Sequence, residues 1–151
     1  MFDVDLLYTG IRKLTIGAEL NYGYEEGASQ VDPTKRARWL GALGTIHYKF
    51  KPWFGASLRF EHFDDPDASR LSSMSTQWIG TPAPTALAGV PQTIESLTIA
   101  ALFTISEGAH VVVEWRNDWD ARDVDRGIFP TADGGLTKTR HLFATSFYYV
   151  W

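Results

Sequence analysis

Arg59 and Glu61 stand two residues apart, and so do Glu114 and Arg116. In an extended chain that spacing puts both members of each pair on one face. Opposite charges sharing a face have two uses. They line a wet conduit and set which ions pass, or they tie neighbouring strands together as cross-strand pairs. Both readings stand at this stage. Another strand lies between the two motifs, so the pairs need not touch. Asp118, Asp120, Asp123 and Asp125 cluster beside Gly127 and offer the hard oxygen ligands that calcium takes. The EF-hand spacing is absent, since Arg122 falls where a ligand belongs, and a solvated loop is the expectation. Asp64, Asp65 and Asp67 read the same way. His47, His62, His110 and His141 have no metal-ligand spacing. No G-x-S-x-G elbow occurs, and Gly134-Gly135 is a loop pair rather than a phosphate cradle. The expectation is a protein that is not an enzyme and uses no metal or cofactor.

The 151 residues make one domain. A net charge of -4 and a pI of about 5.5 leave no basic footprint for nucleic acid. There is no cysteine, which fits passage through an oxidising periplasm but also fits many cytosolic proteins. No apolar run is long enough for a transmembrane helix, which leaves membrane strands open. Met1 is followed at once by Phe2-Asp3-Val4-Asp5, without the basic and apolar regions of a signal peptide. The start of the protein is therefore expected to be missing or trimmed.

The elements that must carry these charges are strands, because apolar and polar residues alternate with period two. Phe2, Val4, Leu6 and Tyr8 form one face of a first strand. After a turn at 10–13, Leu14, Ile16, Ala18, Leu20, Tyr22 and Tyr24 share a face. A polar loop at 25–35 leads to a third strand from about Arg36 to Phe50, with Leu40, Ala42, Gly44, Ile46, Tyr48 and Phe50 aligned. Lys51-Pro52 turns into a fourth strand bearing Phe54, Ala56, Leu58 and Phe60. Asp64 to Gln92 is long and rich in proline and glycine. The fifth strand aligns Leu97, Ile99, Ala101, Phe103 and Ile105. The sixth, after a turn at 106–108, aligns Val111, Val113, Trp115 and Trp119. A loop at 121–137 precedes the last strand, where Phe143, Thr145, Phe147, Tyr149 and Trp151 alternate with Leu142, Ala144, Ser146, Tyr148 and Val150.

Two features, loop asymmetry and a pure apolar face, separate a membrane barrel from a soluble sheet, and the strand ends add to them. A soluble sheet with its apolar face turned inward shows the same purity. Connections alternate short and long, as in outer-membrane barrels with tight periplasmic turns and long outer loops. The apolar face, over the stretches assigned, carries no Asp, Glu, Lys or Arg. Its aromatics sit toward the strand ends: Tyr22, Tyr24, Trp115 and Trp119 toward the long loops, and Tyr48, Phe50, Phe54, Tyr149 and Trp151 toward the short turns. Two such rows match the aromatic girdles of a membrane barrel. The opposite face carries Glu19, His47, Lys49, Arg59, Glu61, Glu114, Arg116, Asp118 and Lys138. That is too much charge for a dry core, and these residues are the candidate pore lining. Glycine and serine on that face are expected to leave room for water.

The segments Ala56 to Asp64, Val113 to Asp120 and Thr139 to Trp151 resemble those of the OmpL-like β-barrel porins of Gram-negative bacteria. The resemblance implies an outer-membrane pore for ions or small solutes. It also implies that Phe143, Phe147, Tyr149 and Trp151 form the C-terminal signal read by the barrel-insertion machinery, although Trp151 replaces the more usual terminal Phe.

The expectation is an all-β, antiparallel up-and-down transmembrane β-barrel with about seven or eight strands in this chain. Since single-chain bacterial barrels have an even number, residues 1–151 would form one domain that is the C-terminal part of a larger barrel. Ser75 to Ile79 is the candidate for a hidden eighth strand. Expected partners are outer-membrane lipid, the insertion machinery, small solutes or ions, and a second copy in a homo-oligomer. A non-conducting structural or adhesive barrel is the alternative, followed by a soluble ligand-binding barrel whose apolar faces line the cavity.

Overall fold

A computed structural model describes residues 1–71, 89–125, 127–133 and 135–150. The expected alternation folds as extended chain. The strands are β1 (Phe2–Tyr8), β2 (Leu14–Glu25), β3 (Ala37–Lys51), β4 (Phe54–Asp65), β5 (Gln92–Ser106), β6 (Ala109–Asp120), β7 (Phe129–Pro130), β8 (Leu136–Thr137) and β9 (Thr139–Tyr149). Seven of them form one antiparallel meander in the order β1-β2-β3-β4-β5-β6-β9, and β7 pairs only with β8. The sheet is not closed, and β1 and β9 are its edges. The proposed strand at Ser75 to Ile79 lies outside the described residues. Among the described residues, no helix is long and apolar enough to cross a membrane.

The short turns are built tightly. Lys13 and Gly108 both take the left-handed backbone, at φ 69° and 76°. A Cβ on Gly108 would come within 2.3 Å of the Val150 carbonyl oxygen, so only glycine fits there. Register shifts near Lys49–Lys51 and Thr104–Ser106 mark bulges beside the short turns at Pro52 and Gly108.

Burial is inverted relative to a soluble domain. The largest fully buried side chains are Asp65, Asp118 and Ser96. Leu20, Ile46, Leu58, Phe60, Ile99, Phe143 and Phe147 are exposed, and all lie on the apolar face. Register confirms that this face is continuous: one row across the sheet runs Tyr8, Ile16, Ile46, Leu58, Ile99, Trp115 and Phe143. The polar face is the concave one. A cavity of about 330 Å³ lies against it, lined by Glu19, Asn21, Glu61, Ser96, Arg116 and Asp118, among others.

The expectation of a charge-free apolar face fails at the long-loop end. Strands β4 and β5 reach farther than their sequence patterns indicated, which brings Asp64 and Glu95 onto that face, and Arg38, inside the expected third strand, shares the parity of Leu40. Glu95 accepts a hydrogen bond from Trp119 Nε1 at 2.8 Å and lies 3.4 Å from His62 Nδ1. Only the ends of the strands carry these charges, beyond the apolar rows.

Candidate functional site

Alternation places each wall residue. Register then decides which of them meet. On β4, Arg59 and Glu61 point to the polar face, with Arg59 Nε 3.6 Å from Glu61 Oε2. On β6, Glu114, Arg116 and Asp118 point the same way. Arg116 reaches over β5: its Nη1 donates to Glu61 Oε2 at 2.5 Å, and its Nη2 donates to Ser96 Oγ at 2.9 Å. Its Nε donates to Asp118 Oδ1 at 2.6 Å. Arg140 on β9 completes the row, donating from Nη2 to Asp118 Oδ2 at 2.5 Å. The result is a ladder of alternating charge, Arg59–Glu61–Arg116–Asp118–Arg140, across four strands.

The ladder supplies three particulars that the sequence left open. The β4 and β6 motifs do touch, because Ser96 on the intervening strand is small and a guanidinium reaches past it. Arg116 pairs with Glu61 and Asp118, not with Glu114, which stands opposite Ala100 and Ala144. Arg140 was not among the expected lining residues. Its parity with Leu142 and Ala144 was the available signal, masked by its place at the start of the strand.

The remaining candidates divide. Glu19 lines the concavity on β2, and Asn21 Nδ2 donates to it at 3.1 Å. Register also brings Asp3 and Asp5 beside it, their carboxylate oxygens within 4.8 Å of one another. Sequence reading missed this group because its members lie on two strands. His47 Nδ1 lies 2.9 Å from Ser57 Oγ, and Lys49 is exposed nearby at the short-turn end. Lys138 is not a wall residue: it links β8 to β9 and pairs with Asp123 in the loop. That carboxylate raises the Lys138 pKa. The glycines leave less space for water than expected. Trp39 lies against Gly23, Asn21 against Gly41 and His47 against Gly55, each closer than a Cβ would allow.

The long-loop mouth is a network of capped turns, and the acidic groups serve there as caps. Asp65 accepts from the backbone N–H of Ser69, Arg70 and Leu71 at 2.7–2.9 Å. Asp120 accepts from Arg122 N at 3.0 Å and Val124 N at 2.8 Å. Two connections fold inward. Leu71 lines the concavity, and Arg70 stacks on Trp39 at 3.8 Å while pairing with Glu25. Ile128 and Phe129 pack on Ile94, and Arg140 lies over the Phe129 ring.

The aromatic candidates point outward. Tyr48, Phe50 and Phe54 stack in series with Phe103, with Trp53 beside them. Tyr22 and Tyr24 sit at the opposite end, with Arg36 over Tyr24 at 4.5 Å. Trp119 packs near Phe60. Trp115 departs from its expected level: it is mid-strand, opposite Ile99 and Phe143. Phe143, Phe147 and Tyr149 are exposed on β9, while Trp151 lies outside the described residues.

A model of the family described as "Putative beta-barrel porin-2, OmpL-like" matches residues 1–149. The chain belongs to that family. No curated protein and no solved structure matches it. For an OmpL-like porin, an all-antiparallel sheet with an exposed apolar face and a charged concave face is the fold the membership requires. Membership supports a porin-like role in general, and an outer-membrane location in general.

Proposed function

We propose that this porin-family chain forms the wall of a water-filled channel for passive diffusion of ions or small hydrophilic solutes. The membrane would be the outer membrane of a Gram-negative bacterium. The observation that carries the proposal is the inverted burial: aliphatic and aromatic side chains face out, while Asp118, Ser96 and Thr98 are buried on the concave side. Lipid satisfies the first surface and water the second. The apolar face would contact lipid, and the aromatic row on β9 would be read during insertion. The chain would need no cofactor and catalyse no reaction.

Strand direction bears on closure. β1 and β9 are the first and seventh strands of an alternating sheet, so they run the same way. An all-antiparallel ring therefore needs an odd number of strands between them. Unpaired edges are not tolerated in hydrocarbon. Counted over the described residues, this favours a larger barrel of which these seven strands are one part.

A second reading has its own support. The inward connections bearing Leu71 and the Ile128–Phe129 pair sit over the charged ladder, as a filled, non-conducting barrel would require. Single-channel recording in planar bilayers separates the two. Stable conductance steps support the channel, and Arg59→Ala should shift ion preference toward cations while Glu114→Ala shifts it toward anions. Insertion without conductance supports the filled barrel.

A further inference from the structure

Three basic side chains gather outside the lumen, at the long-loop rim of the outward face. Arg38 on β3 is 66% exposed, and its nearest carboxylate oxygen, on Asp67, is 3.9 Å away. Asp67 is occupied elsewhere, accepting from Ser29 Oγ and from the backbone N–H of Arg38. Arg122 donates to Asp64 Oδ1 at 2.8 Å and to Thr93 Oγ1 at 2.7 Å. Arg36 lies over Tyr24 on the same side but is paired with Glu26, Nε donating to Oε1 at 2.7 Å, and stands outside the cleft itself. Between Arg38 and Arg122 opens a cleft of about 500 Å³, also lined by Tyr22, Leu40, Asp64 and Pro66. Below it, Leu20, Leu40, Leu58 and Phe60 are exposed on the apolar face.

We infer that this cleft binds the phosphate-bearing headgroup of an outer-leaflet lipid, with the acyl chains lying along the aliphatic surface beneath. The charge and the position both fit. A guanidinium fork matches a phosphate in two hydrogen bonds, and Arg38, exposed at the polar–apolar boundary, is held only by a long 3.9 Å ion pair to Asp67. Asp64 draws Arg122 back from the cleft, so it weakens binding. A free anion would need the guanidiniums alone, whereas a lipid uses the guanidiniums and the apolar surface together. The inference rests on the outward face being the membrane face.

The test uses the full chain refolded in neutral detergent, with native mass spectrometry counting bound lipid. The probes are lipid A, a diphosphorylated acylated sugar, then phosphatidylcholine and inorganic phosphate. Lipid A is expected to bind one to one and ahead of phosphatidylcholine. Arg38→Gln should lower its affinity about fivefold, the scale of one basic residue at a charged membrane surface. Asp64→Asn should raise it. Inorganic phosphate binding as tightly as lipid A would mean a free-anion site and overturn the inference. Equal retention of phosphatidylcholine, or no effect of Arg38→Gln, would overturn it as well. Arg38→Gln removes only the long, exposed pair with Asp67, and heat-modifiable gel mobility checks that the variant folds. Failure of the complete barrel, these seven strands included, to insert into bilayers at all would instead sink the channel reading.

Discussion

Asp118 is the single carboxylate joining two guanidiniums across β6 and β9, and its side chain is fully buried. Asp118→Asn leaves the volume unchanged but removes the charge and one acceptor oxygen. Removing one partner of a buried pair costs about 3–5 kcal/mol, because the other charge is stranded. The guanidinium-bearing side chains of Arg116 and Arg140 are 26% and 38% exposed, so each keeps part of its hydration. Arg116 also retains Glu61 and Ser96. With those discounts the cost is about 2 kcal/mol. A urea slope of about 1–3 kcal/mol/M then moves the unfolding midpoint down by about 1 M. The assay is urea unfolding of the chain refolded in lipid vesicles, followed by tryptophan emission. Asp123→Asn, which breaks the exposed Lys138 pair, is the control and should not move the midpoint. If Asp118→Asn unfolds at the same urea concentration as the parent, the ladder contributes nothing to holding β4, β6 and β9 together, and the reasoning fails.

Leu58→Arg places a charge in the middle of the outward face and should cost about 2–4 kcal/mol in vesicles. Ser57→Arg, one residue away on the polar face, should leave the vesicle unfolding midpoint nearly unchanged. Equal losses would mean the two faces are assigned wrongly. At the mouth, the Thr131 hydroxyl and the Gly135 backbone hold the Asp133 carboxyl below its ordinary pKa of 3.8. A lowered folded pKa contributes stability above 3.8 that is lost as pH falls through the folded value. Protection of the β7–β8 hairpin amides against hydrogen exchange, relative to the unfolded chain at the same pH, should therefore fall below about pH 4. Asp133→Asn should flatten that pH dependence.

Much of the fold was legible because each level of the sequence agreed. Period-two runs marked the strands, and proline and glycine marked the connections. What escaped depended on register and reach. Trp115 looked like a girdle residue until its pairing with Ile99 and Phe143 put it mid-strand. Glu95 falls between the loop expected to end near Gln92 and the first residues aligned on the fifth strand, so its outward position appeared only when β5 was seen to start at Gln92. Arg116 reaching Glu61 needed a small residue on the strand between them, which no pattern within one strand shows. The inward loops rest on tertiary contacts such as Arg70 on Trp39 and Phe129 on Ile94.

Alternation alone leaves one question open. It states which side chains share a face, but a soluble sheet and a membrane sheet show the same period. Exposure breaks the symmetry. A soluble sheet packing Phe143, Phe147 and Leu58 inward would leave Asp118 and Arg116 free in water, with no reason for a five-member ladder. Here Asp118 is buried beneath two guanidiniums while Phe143 is 80% exposed. Such a ladder suits a wall that must stay polar and still hold its strands in register without an apolar core behind it. On the channel reading proposed above, the same charges serve both uses open to them, linking strands and facing the lumen, so neutralising one should change stability and ion preference together.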